Sequence, residues 1–203
     1  MNQLNNLDAA LGLQATVDGP FNDVVGTSGN DTLTGTDQAD SIQGLGGDDL
    51  LRGEGGHDAL FGGQGNDLLE GGTGSDSMYG GAGDDTIHGT LGADVLNGGA
   101  GADTFVFAHL DASTVDHAGR DTVIFSHDQG DVIDLSNLDA NTNVDGVQAF
   151  TVVDKFDGNA GELTIKAHGA GYVVEGDVNG DGHADFAIDV HTAGSLDAGD
   201  FVL

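Results

Sequence analysis

Apolar residues recur at one fixed phase of a nine-residue period between Gly26 and Val106. The segment divides into nine consecutive nonapeptides without insertion or deletion, and the eighth position is apolar in each. One apolar side chain per repeat cannot form a core by itself, so the period predicts short strands that stack and bury these side chains together. The eighth positions are Leu33, Ile42, Leu51, Leu60, Leu69, Met78, Ile87, Leu96 and Phe105.

Glycine and aspartate keep the same phase as the apolar position. The first position is Gly in all nine repeats, and the fourth is Gly in all but one, where Gln38 stands. Glycine permits the left-handed backbone of tight turns, which can aim carbonyl oxygens inward. A carboxylate in the same turn adds to a density of hard oxygen ligands that suits Ca²⁺, which takes about six to eight of them. The sixth positions, our candidate carboxylate ligands, are Asp31, Asp40, Asp49, Asp58, Asp67, Asp76, Asp85, Asp94 and Asp103.

The pattern G-G-x-G-x-D-x-U-x is complete in Gly62–Glu70 and Gly80–His88, and it resembles the nonapeptide of the RTX (repeats-in-toxin) calcium-binding family. The resemblance implies an all-β, right-handed parallel β-roll with two repeats per turn, in which repeats n and n+2 stack. It also implies that each ion lies between two stacked turns. Carbonyls of positions 1, 3 and 5 would bind one ion. Carbonyls of positions 2 and 4 would bind the next ion together with the Asp carboxylate. About seven ions would then bind between the nine repeats.

The resemblance places carbonyl ligands in the turns of repeats three to nine. Glycine is missing from the second position at Thr27, Thr36, Leu45, Glu54 and Thr90. We expect the sites built on Gly26–Gln43 to be distorted or vacant. The candidate carbonyl ligands are those of Gly44, Gly46, Gly47, Gly53, Gly55, Gly56, Gly62, Gly63, Gln64, Gly65, Asn66, Gly71, Gly72, Thr73, Gly74, Ser75, Gly80, Gly81, Ala82, Gly83, Asp84, Gly89, Leu91, Gly92, Gly98, Gly99 and Gly101.

The repeat gives way after Phe105 to short β-type runs separated by turn residues. We expect a β-rich, sandwich-like cap over residues 107–203, because an uncapped roll over residues 26–106 would expose strand edges and core. Residues 1–25 are expected to form a short helix or a linker, since the spacing of Leu4, Leu7 and Leu11 is helical. The β-type runs are Thr104–Phe107, Thr122–Phe125, Val132–Leu135, Ala149–Val153, Glu162–Ile165, Tyr172–Val174, Asp185–Val190 and Phe201–Leu203.

The segments after the repeat narrow the resemblance: the chain from about Val25 to Leu203 is similar to the C-terminal domain of serralysin-type secreted metalloproteases. The matching segments include Gly101–Phe107, Gly130–Ser136 and Gly176–Phe186. This resemblance implies that acidic residues beyond the last repeat complete the final calcium sites. The positions that match are Asp111, Asp121 and Asp131.

A second candidate calcium site lies in the cap. Asp177, Asn179 and Asp181 alternate before Gly182, and Asp185 follows, which is similar to the start of an EF-hand loop. The bidentate Glu at loop position 12 is missing, so Asp185 or a neighbouring segment would have to complete the ligand shell. Such a site would add one or two ions. The alternative is a β-hairpin in which Asn-Gly-Asp-Gly is ordinary turn chemistry.

The chain has a net charge of −31, from 35 acidic residues against four Lys and Arg. A chain this acidic repels itself, whereas about seven divalent ions would offset nearly half of the charge. The four cations are scattered, so nucleic acid is not an expected partner. No apolar run approaches the ~20 residues of a membrane span. The absence of cysteine excludes a disulfide framework.

The residues Asp200, Phe201, Val202 and Leu203 resemble the uncleaved C-terminal type I secretion signal of the serralysin group. Met1–Pro20 lacks the charged start and apolar run of a secretory signal peptide. The resemblance implies a Gram-negative type I transporter as a partner and an extracellular or cell-surface location. The alternative explanation of these four residues is a buried terminal strand, which would have the same composition.

No catalytic motif is present. None of the eight histidines is followed by Glu, which excludes H-E-x-x-H, and G-x-S-x-G does not occur. We therefore predict a non-catalytic secreted module that folds on binding extracellular Ca²⁺ and stabilises a fused or co-secreted enzyme. One alternative is a polysaccharide-binding module like those attached to alginate epimerases, although a polyanion favours a basic groove. The other is an adhesin or ice-binding face, which would need an aligned row of threonines.

Overall fold

The computed structural model describes residues 21–203, which form 17 strands and three short 3₁₀ helices. The helices are His117–Gly119, His127–Gln129 and Ala198–Asp200. The strands are β1 (Asn22–Val25), β2 (Thr32–Thr34), β3 (Asp40–Gly46), β4 (Leu50–Gly55), β5 (Ala59–Gln64), β6 (Leu68–Thr73), β7 (Ser77–Ala82), β8 (Thr86–Leu91), β9 (Val95–Ala100), β10 (Thr104–Val106), β11 (Asp121–Ile124), β12 (Val132–Asp134), β13 (Thr151–Val152), β14 (Glu162–His168), β15 (Gly171–Asp177), β16 (Phe186–His191) and β17 (Phe201–Val202).

Consecutive strands alternate between two sheets as far as β12. One sheet contains β1, β3, β5, β7, β9 and β11 in that order, and the other contains β2, β4, β6, β8, β10 and β12. Neighbours pair in parallel, with Leu51 opposite Leu69 and Leu69 opposite Ile87. Each turn therefore contains two repeats, and repeat n stacks on repeat n+2. The predicted parallel β-roll is confirmed.

The eighth-position side chains fill the space between the two sheets. From Ile42 to Phe105 they are at most 2% exposed, and only Leu33 at the first turn is partly buried. Val123 and Ile133 continue the column into the cap. Burying such a side chain contributes about 1.5–3 kcal/mol, so a single repeat gains too little to order its nine residues. Only the stacked column makes a core.

The roll begins before the first nonapeptide. Strand β1 pairs in parallel with β3 and places Val24 opposite Ile42. Asn22 and Val24 occupy the sixth and eighth positions of a degenerate repeat, and Val24 packs against the core. The segment predicted for residues 1–25 therefore ends earlier than expected, because β1 belongs to the roll. The helix or linker predicted from Leu4, Leu7 and Leu11 lies outside the described residues.

The cap extends both sheets of the roll and does not form a separate sandwich. Strand β11 pairs in parallel with β9, and β12 pairs in parallel with β10. The first sheet then continues through β16, β15, β14 and β13, of which β14–β16 form an antiparallel meander. The second sheet ends with β17 beside β12. Each predicted C-terminal run contains a strand, and these strands satisfy the backbone groups that β9 and β10 would otherwise expose.

The cap has an apolar core of its own, continuous with that of the roll. Leu163, Phe186 and Ile188 are at most 2% exposed, and the Phe150 and Phe186 rings meet edge to face with centroids 5.5 Å apart. Residues 21–203 contain no helix with the length and hydropathy that crossing a bilayer requires.

Candidate calcium centre

The turns of repeats three to nine share one backbone conformation. The second position has a left-handed φ throughout, from +74° at Glu54 to +123° at Gly81, and so does the fourth, from +100° at Gly47 to +154° at Gly92. Leu45, Glu54 and Thr90 adopt this conformation with a side chain. A non-glycine residue in this region costs of order 1 kcal/mol and persists where its surroundings impose it. The stacked turns impose it here.

The sixth-position aspartates form a hydrogen-bonded ladder along each side of the roll. The backbone N–H of each Asp donates to Oδ1 of the Asp 18 residues later, at 2.8 Å for Asp58 to Asp76 and for Asp67 to Asp85. From Asp40 to Asp103 the aspartates are at most 3% exposed. From Asp49 onward, each carboxylate is thus oriented by the preceding turn, which fixes Oδ1 and directs Oδ2 into the turn.

From Asp49 to Asp103, the Oδ2 atom of each ladder aspartate has no hydrogen-bond partner. An unpaired buried oxygen costs about 1–3 kcal/mol, more when charged, and the large majority of buried polar atoms in proteins are paired. Repetition of the same unpaired atom in successive turns indicates a site made for a cation. The atoms concerned are Oδ2 of Asp49, Asp58, Asp67, Asp76, Asp85, Asp94, Asp103 and Asp121.

The first-position glycines leave open the space that these oxygens face. A Cβ placed on Gly71 would lie 2.5 Å from Asp76 Oδ2 and 2.8 Å from the carbonyl oxygen of Gly89, two repeats later. Any side chain there would displace both oxygens. A carboxylate of one turn and a carbonyl of the next therefore face one small volume, as expected for a Ca²⁺ site with ligands at about 2.3–2.6 Å.

Side chains alone do not complete a metal site. Within residues 21–203, no three carboxylate or imidazole groups converge on a position that could hold an ion. Each turn supplies one carboxylate, so the remaining ligands have to be backbone carbonyls of the turns. The donor set of hard oxygens fits Ca²⁺ and contains no thiolate or imidazole that would favour zinc.

Burial raises the pKa values of the ladder aspartates from Asp58 to Asp131. The pKa of Asp58 and of Asp85 rises to about 7, mainly through desolvation, and carboxylates in adjacent turns raise it further. The pKa of Asp94 rises to about 8 and that of Asp121 to about 9, for the same leading reason. The backbone N–H of the preceding turn opposes the shift in each. These carboxylates need a positive partner to remain ionised at neutral pH.

Asp31 and Asp40 differ from the later aspartates. The backbone N–H and hydroxyl of Thr27 both donate to Asp31 Oδ2, at 2.5 and 2.9 Å. Those of Thr36 donate to Asp40 Oδ2 at 2.6 and 3.0 Å. Both aspartates still belong to the ladder through their own N–H groups, which donate to Asp49 and Asp58.

Two of the three acids predicted to close the array join the ladder. Asp94 N–H donates to Asp121 Oδ1 at 2.8 Å, and Asp103 N–H donates to Asp131 Oδ1 at 3.2 Å, across 27 and 28 residues instead of 18. Oδ2 of Asp131 accepts from Ser126 N–H at 2.8 Å, whereas Oδ2 of Asp121 has no partner. The remaining candidate, Asp111, lies exposed on the surface and is not brought to the ladder.

The sequence gives no sign of Ser113, which ends the ladder at Asp121. Its Oγ accepts from Asp121 N–H at 2.8 Å and donates to the Ala187 carbonyl at 2.5 Å. In every earlier rung a carboxylate is the acceptor of the aspartate N–H. Ser113 lies in an insertion that breaks the nine-residue phase, so no periodicity could point to it.

The cap loop of Asp177–Asp185 joins β15 to β16, and its own backbone satisfies its carboxylates. Asp177 is buried and accepts from Gly180 N–H at 2.7 Å and from Gly182 N–H at 2.8 Å. Asp185 Oδ2 accepts from Val178 N–H at 2.8 Å. Asn179 and Asp181 make similar bonds two residues along. These contacts are those of the hairpin-turn alternative, and calcium binding by this loop stays a prediction.

The last four residues form an ordered end of the second sheet. Asp200 is buried, accepts from Asp197 N–H at 2.8 Å and lies 2.6 Å from His127 Nδ1. The hydrogen bond to Asp200 raises the pKa of His127. Phe201 pairs with Ile133, Val202 is 44% exposed, and Leu203 packs against the core.

The family comparison identifies the repeats. The model of the RTX calcium-binding nonapeptide repeat matches residues 25–60, 52–87, 61–96 and 79–107. The chain therefore carries RTX calcium-binding repeats from Val25 to Phe107, the region of the aspartate ladder. No curated protein matches the chain significantly.

Two solved structures resemble the chain at low structural similarity. The R2 subunit of AlgE6, a mannuronan C5-epimerase of Azotobacter vinelandii, is 25% identical with a TM-score of 0.40, over 89% of this chain and 92% of that one. The R3 subunit of the same epimerase is 25% identical with a TM-score of 0.38, over 91% and 85%. At these TM-scores the fold assignment rests on the strand pairing and on the repeat match.

Proposed function

We propose that this protein is a non-catalytic calcium-binding module that folds when its turns bind extracellular calcium. The observation that carries the proposal is the row of eight buried aspartate Oδ2 atoms without a partner, five of which, from Asp49 to Asp85, face a backbone carbonyl of the next turn. Asp49 to Asp103 and Asp121 would hold the ions, together with carbonyls of the turns.

Folding and binding are coupled through the carboxylates. Adjacent turns stack about 4.8 Å apart, so folding brings like charges together in a desolvated column. Bound calcium would supply the positive charge and the shared centre that these oxygens require. Backbone N–H groups of the ladder orient the carboxylates, and the left-handed turns direct the carbonyls. Because the column has one apolar side chain per repeat, the free energy of ion binding is needed to stabilise the fold.

This coupling suits export of an unfolded chain. We propose that the chain stays unfolded where calcium is scarce, passes through a type I transporter, and folds outside, where it stabilises a fused or co-secreted enzyme. Asp200–Leu203 is the proposed signal. Phe201 and Asp200 are buried in the folded cap, so the transporter would read these residues before the cap folds.

Far-UV circular dichroism tests the folding proposal. We expect a coil spectrum in metal-stripped protein at neutral pH and a β spectrum in millimolar calcium. Magnesium serves as a matched control: it prefers strict octahedral geometry and gives up water reluctantly, so it should induce little folding. Identical spectra with and without calcium would refute the proposal.

The export proposal has a separate test. Val202 is largely exposed in the folded cap, so Val202→Asp should leave calcium-induced folding unchanged. If Asp200–Leu203 is read by a type I transporter, the same variant should lower the amount exported from cells that carry one. Export at the unaltered level would argue against this signal.

A further inference from the structure

The turns of repeats one and two have a different backbone from the turns of repeats three to nine. At Thr27 and Thr36, the second positions of repeats one and two, φ is not left-handed, and neither is it at the fourth positions, Gly29 and Gln38. Gly29 shows that a glycine in the sequence is not sufficient to produce the turn of the later repeats.

In these two turns a threonine donates hydrogen bonds to the aspartate oxygen that has no partner in the later turns. The Thr27 hydroxyl accepts from Gly29 N–H at 3.2 Å and lies 2.9 Å from Asp31 Oδ2 as a donor. The Thr36 hydroxyl accepts from Gln38 N–H at 3.2 Å and donates to Asp40 Oδ2 at 3.0 Å. With the threonine N–H added, each Oδ2 accepts two hydrogen bonds and so has partners without a metal ion. The unpaired oxygen of Asp40 is Oδ1, at the ladder position.

Thr90 provides an internal comparison at the same repeat position. Its φ is +80°, and its hydroxyl pairs with the backbone of Gly72 in the preceding turn instead of with its own aspartate. Asp94, the aspartate of that repeat, keeps its Oδ2 without a partner. Threonine is therefore compatible with an open site when its turn stacks on an earlier one and has the left-handed backbone.

The other end of the array is completed by the cap. A Cβ placed on Gly89 would lie 2.7 Å from Asp94 Oδ2 and 3.2 Å from Asp121 Oδ2, so both carboxylates face one space. At Gly71 the corresponding contacts are one carboxylate and one carbonyl. Asp121 thus takes the place that a turn carbonyl has in the repeats.

We infer that Thr27 and Thr36 close the first two turns without metal and that the calcium array is displaced by one turn toward the cap. It begins at Asp49 and Asp58 and ends at Asp103 and at Asp94, whose site Asp121 of the cap completes. Seven aspartates from Asp49 to Asp103 have an open Oδ2, so about seven ions still bind, but not between the pairs that begin at repeats one and two. This inference rests on the proposed calcium binding.

Counting bound ions by native mass spectrometry at saturating calcium tests the inference. Asp31→Asn and Asp40→Asn should bind as many ions as the unaltered chain. Their matched controls, Asp49→Asn and Asp58→Asn, lie one turn later on the same sides of the roll and should each bind one ion fewer. Loss of an ion in Asp31→Asn or Asp40→Asn would overturn the inference, whereas an unaltered chain that binds no calcium would overturn the proposed function as well.

A gain-of-site variant covers the case in which the asparagine variants fold poorly. Thr36→Gly places glycine at the second position, while Gln38 stays at the fourth, and removes the hydroxyl donor from Asp40. We expect one additional ion per chain, with a calcium-induced β spectrum at least as strong as that of the unaltered chain. An unchanged ion count in a folded Thr36→Gly variant would show that the threonine does not close the turn.

Discussion

The two oxygens of each ladder aspartate have different tasks. Oδ1 accepts the N–H of the preceding turn, as Asp76 does from Asp58, while Oδ2 is left for a cation. The first position has to be glycine because a Cβ there would fill the space between that Oδ2 and the carbonyl of the next turn. The sequence could predict this because Gly and Asp keep a fixed spacing in nine repeats.

Gly71→Ala should therefore weaken calcium binding without adding or removing any charge. The new Cβ would lie against Asp76 Oδ2 and the Gly89 carbonyl, and crowding of this kind typically costs about 1–3 kcal/mol. A calcium titration followed by circular dichroism should show a higher midpoint. Gly29→Ala is the control, since a Cβ there meets only Thr27 Oγ1 at 4.0 Å. Equal midpoints for both variants would contradict the role given to the first-position glycine.

The raised aspartate pKa values predict a pH dependence of the metal-free chain. Asp58, Asp85, Asp94 and Asp121 have folded-state pKa values of about 7 to 9, above the usual 3.8. A raised pKa contributes stability that is fully present below the unfolded value and is lost as pH rises through the folded value. Metal-stripped protein should gain β structure as pH falls from 9 toward about 5. Loss of β structure on acidification, measured by circular dichroism in dilute solution, would contradict this.

Calcium binding should show the opposite trend. The ligand oxygens have to be deprotonated, so the calcium midpoint should rise as pH falls from about 8 to about 6. A titration series over this range checks it, and a midpoint independent of pH would be inconsistent with buried aspartate ligands.

At the scale of turns and strands, periodicity explains the repeats but not their ends. The strands, their parallel stacking and the buried eighth positions follow from a nine-residue phase. Thr36 and Thr90 occupy the same position in their repeats and make different contacts. Thr36 donates to Asp40 of its own turn, whereas Thr90 pairs with Gly72 of the preceding turn. Asp121 joins the ladder 27 residues after Asp94, a spacing that the nine-residue sequence period with its 18-residue stacking does not predict. Such features depend on the neighbours that folding brings together.

Ser113 should be necessary for the C-terminal end of the ladder. Ser113→Ala removes the acceptor of Asp121 N–H and the donor to the Ala187 carbonyl, leaving buried groups unpaired at a cost of about 1–3 kcal/mol. Urea unfolding in saturating calcium should show this loss of stability. Ser126→Ala is a suitable control, because Ser126 contacts Asp131 through backbone atoms: its N–H donates to Oδ2, and its carbonyl accepts from Asp131 N–H. A Ser113→Ala variant as stable as Ser126→Ala would contradict the role of Ser113.

At the scale of the whole molecule, roll and cap form two continuous sheets. The sequence predicted the roll, every C-terminal strand and a β-sheet or sandwich-like cap over the end of the roll, but not that the cap strands extend both sheets. Parallel pairing of β11 with β9 and β12 with β10 could not be inferred, because the inserted segments hide the register. Continuity brings Asp121 of the cap beside Asp94 at the end of the aspartate ladder, and the cap also covers the core. For a molecule with a net charge of −31, the proposed function makes cations at the buried aspartate oxygens the condition for folding.

The most direct test of this account is a crystal structure of the protein grown in calcium, with anomalous diffraction used to locate the ions. The account predicts ions beside Oδ2 of Asp49, Asp58, Asp67, Asp76, Asp85, Asp94 and Asp103, each also bound by carbonyls of the stacked turns. It predicts none at Asp31 or Asp40. Stacked turns without calcium, or ions bound only at the molecular surface, would contradict it.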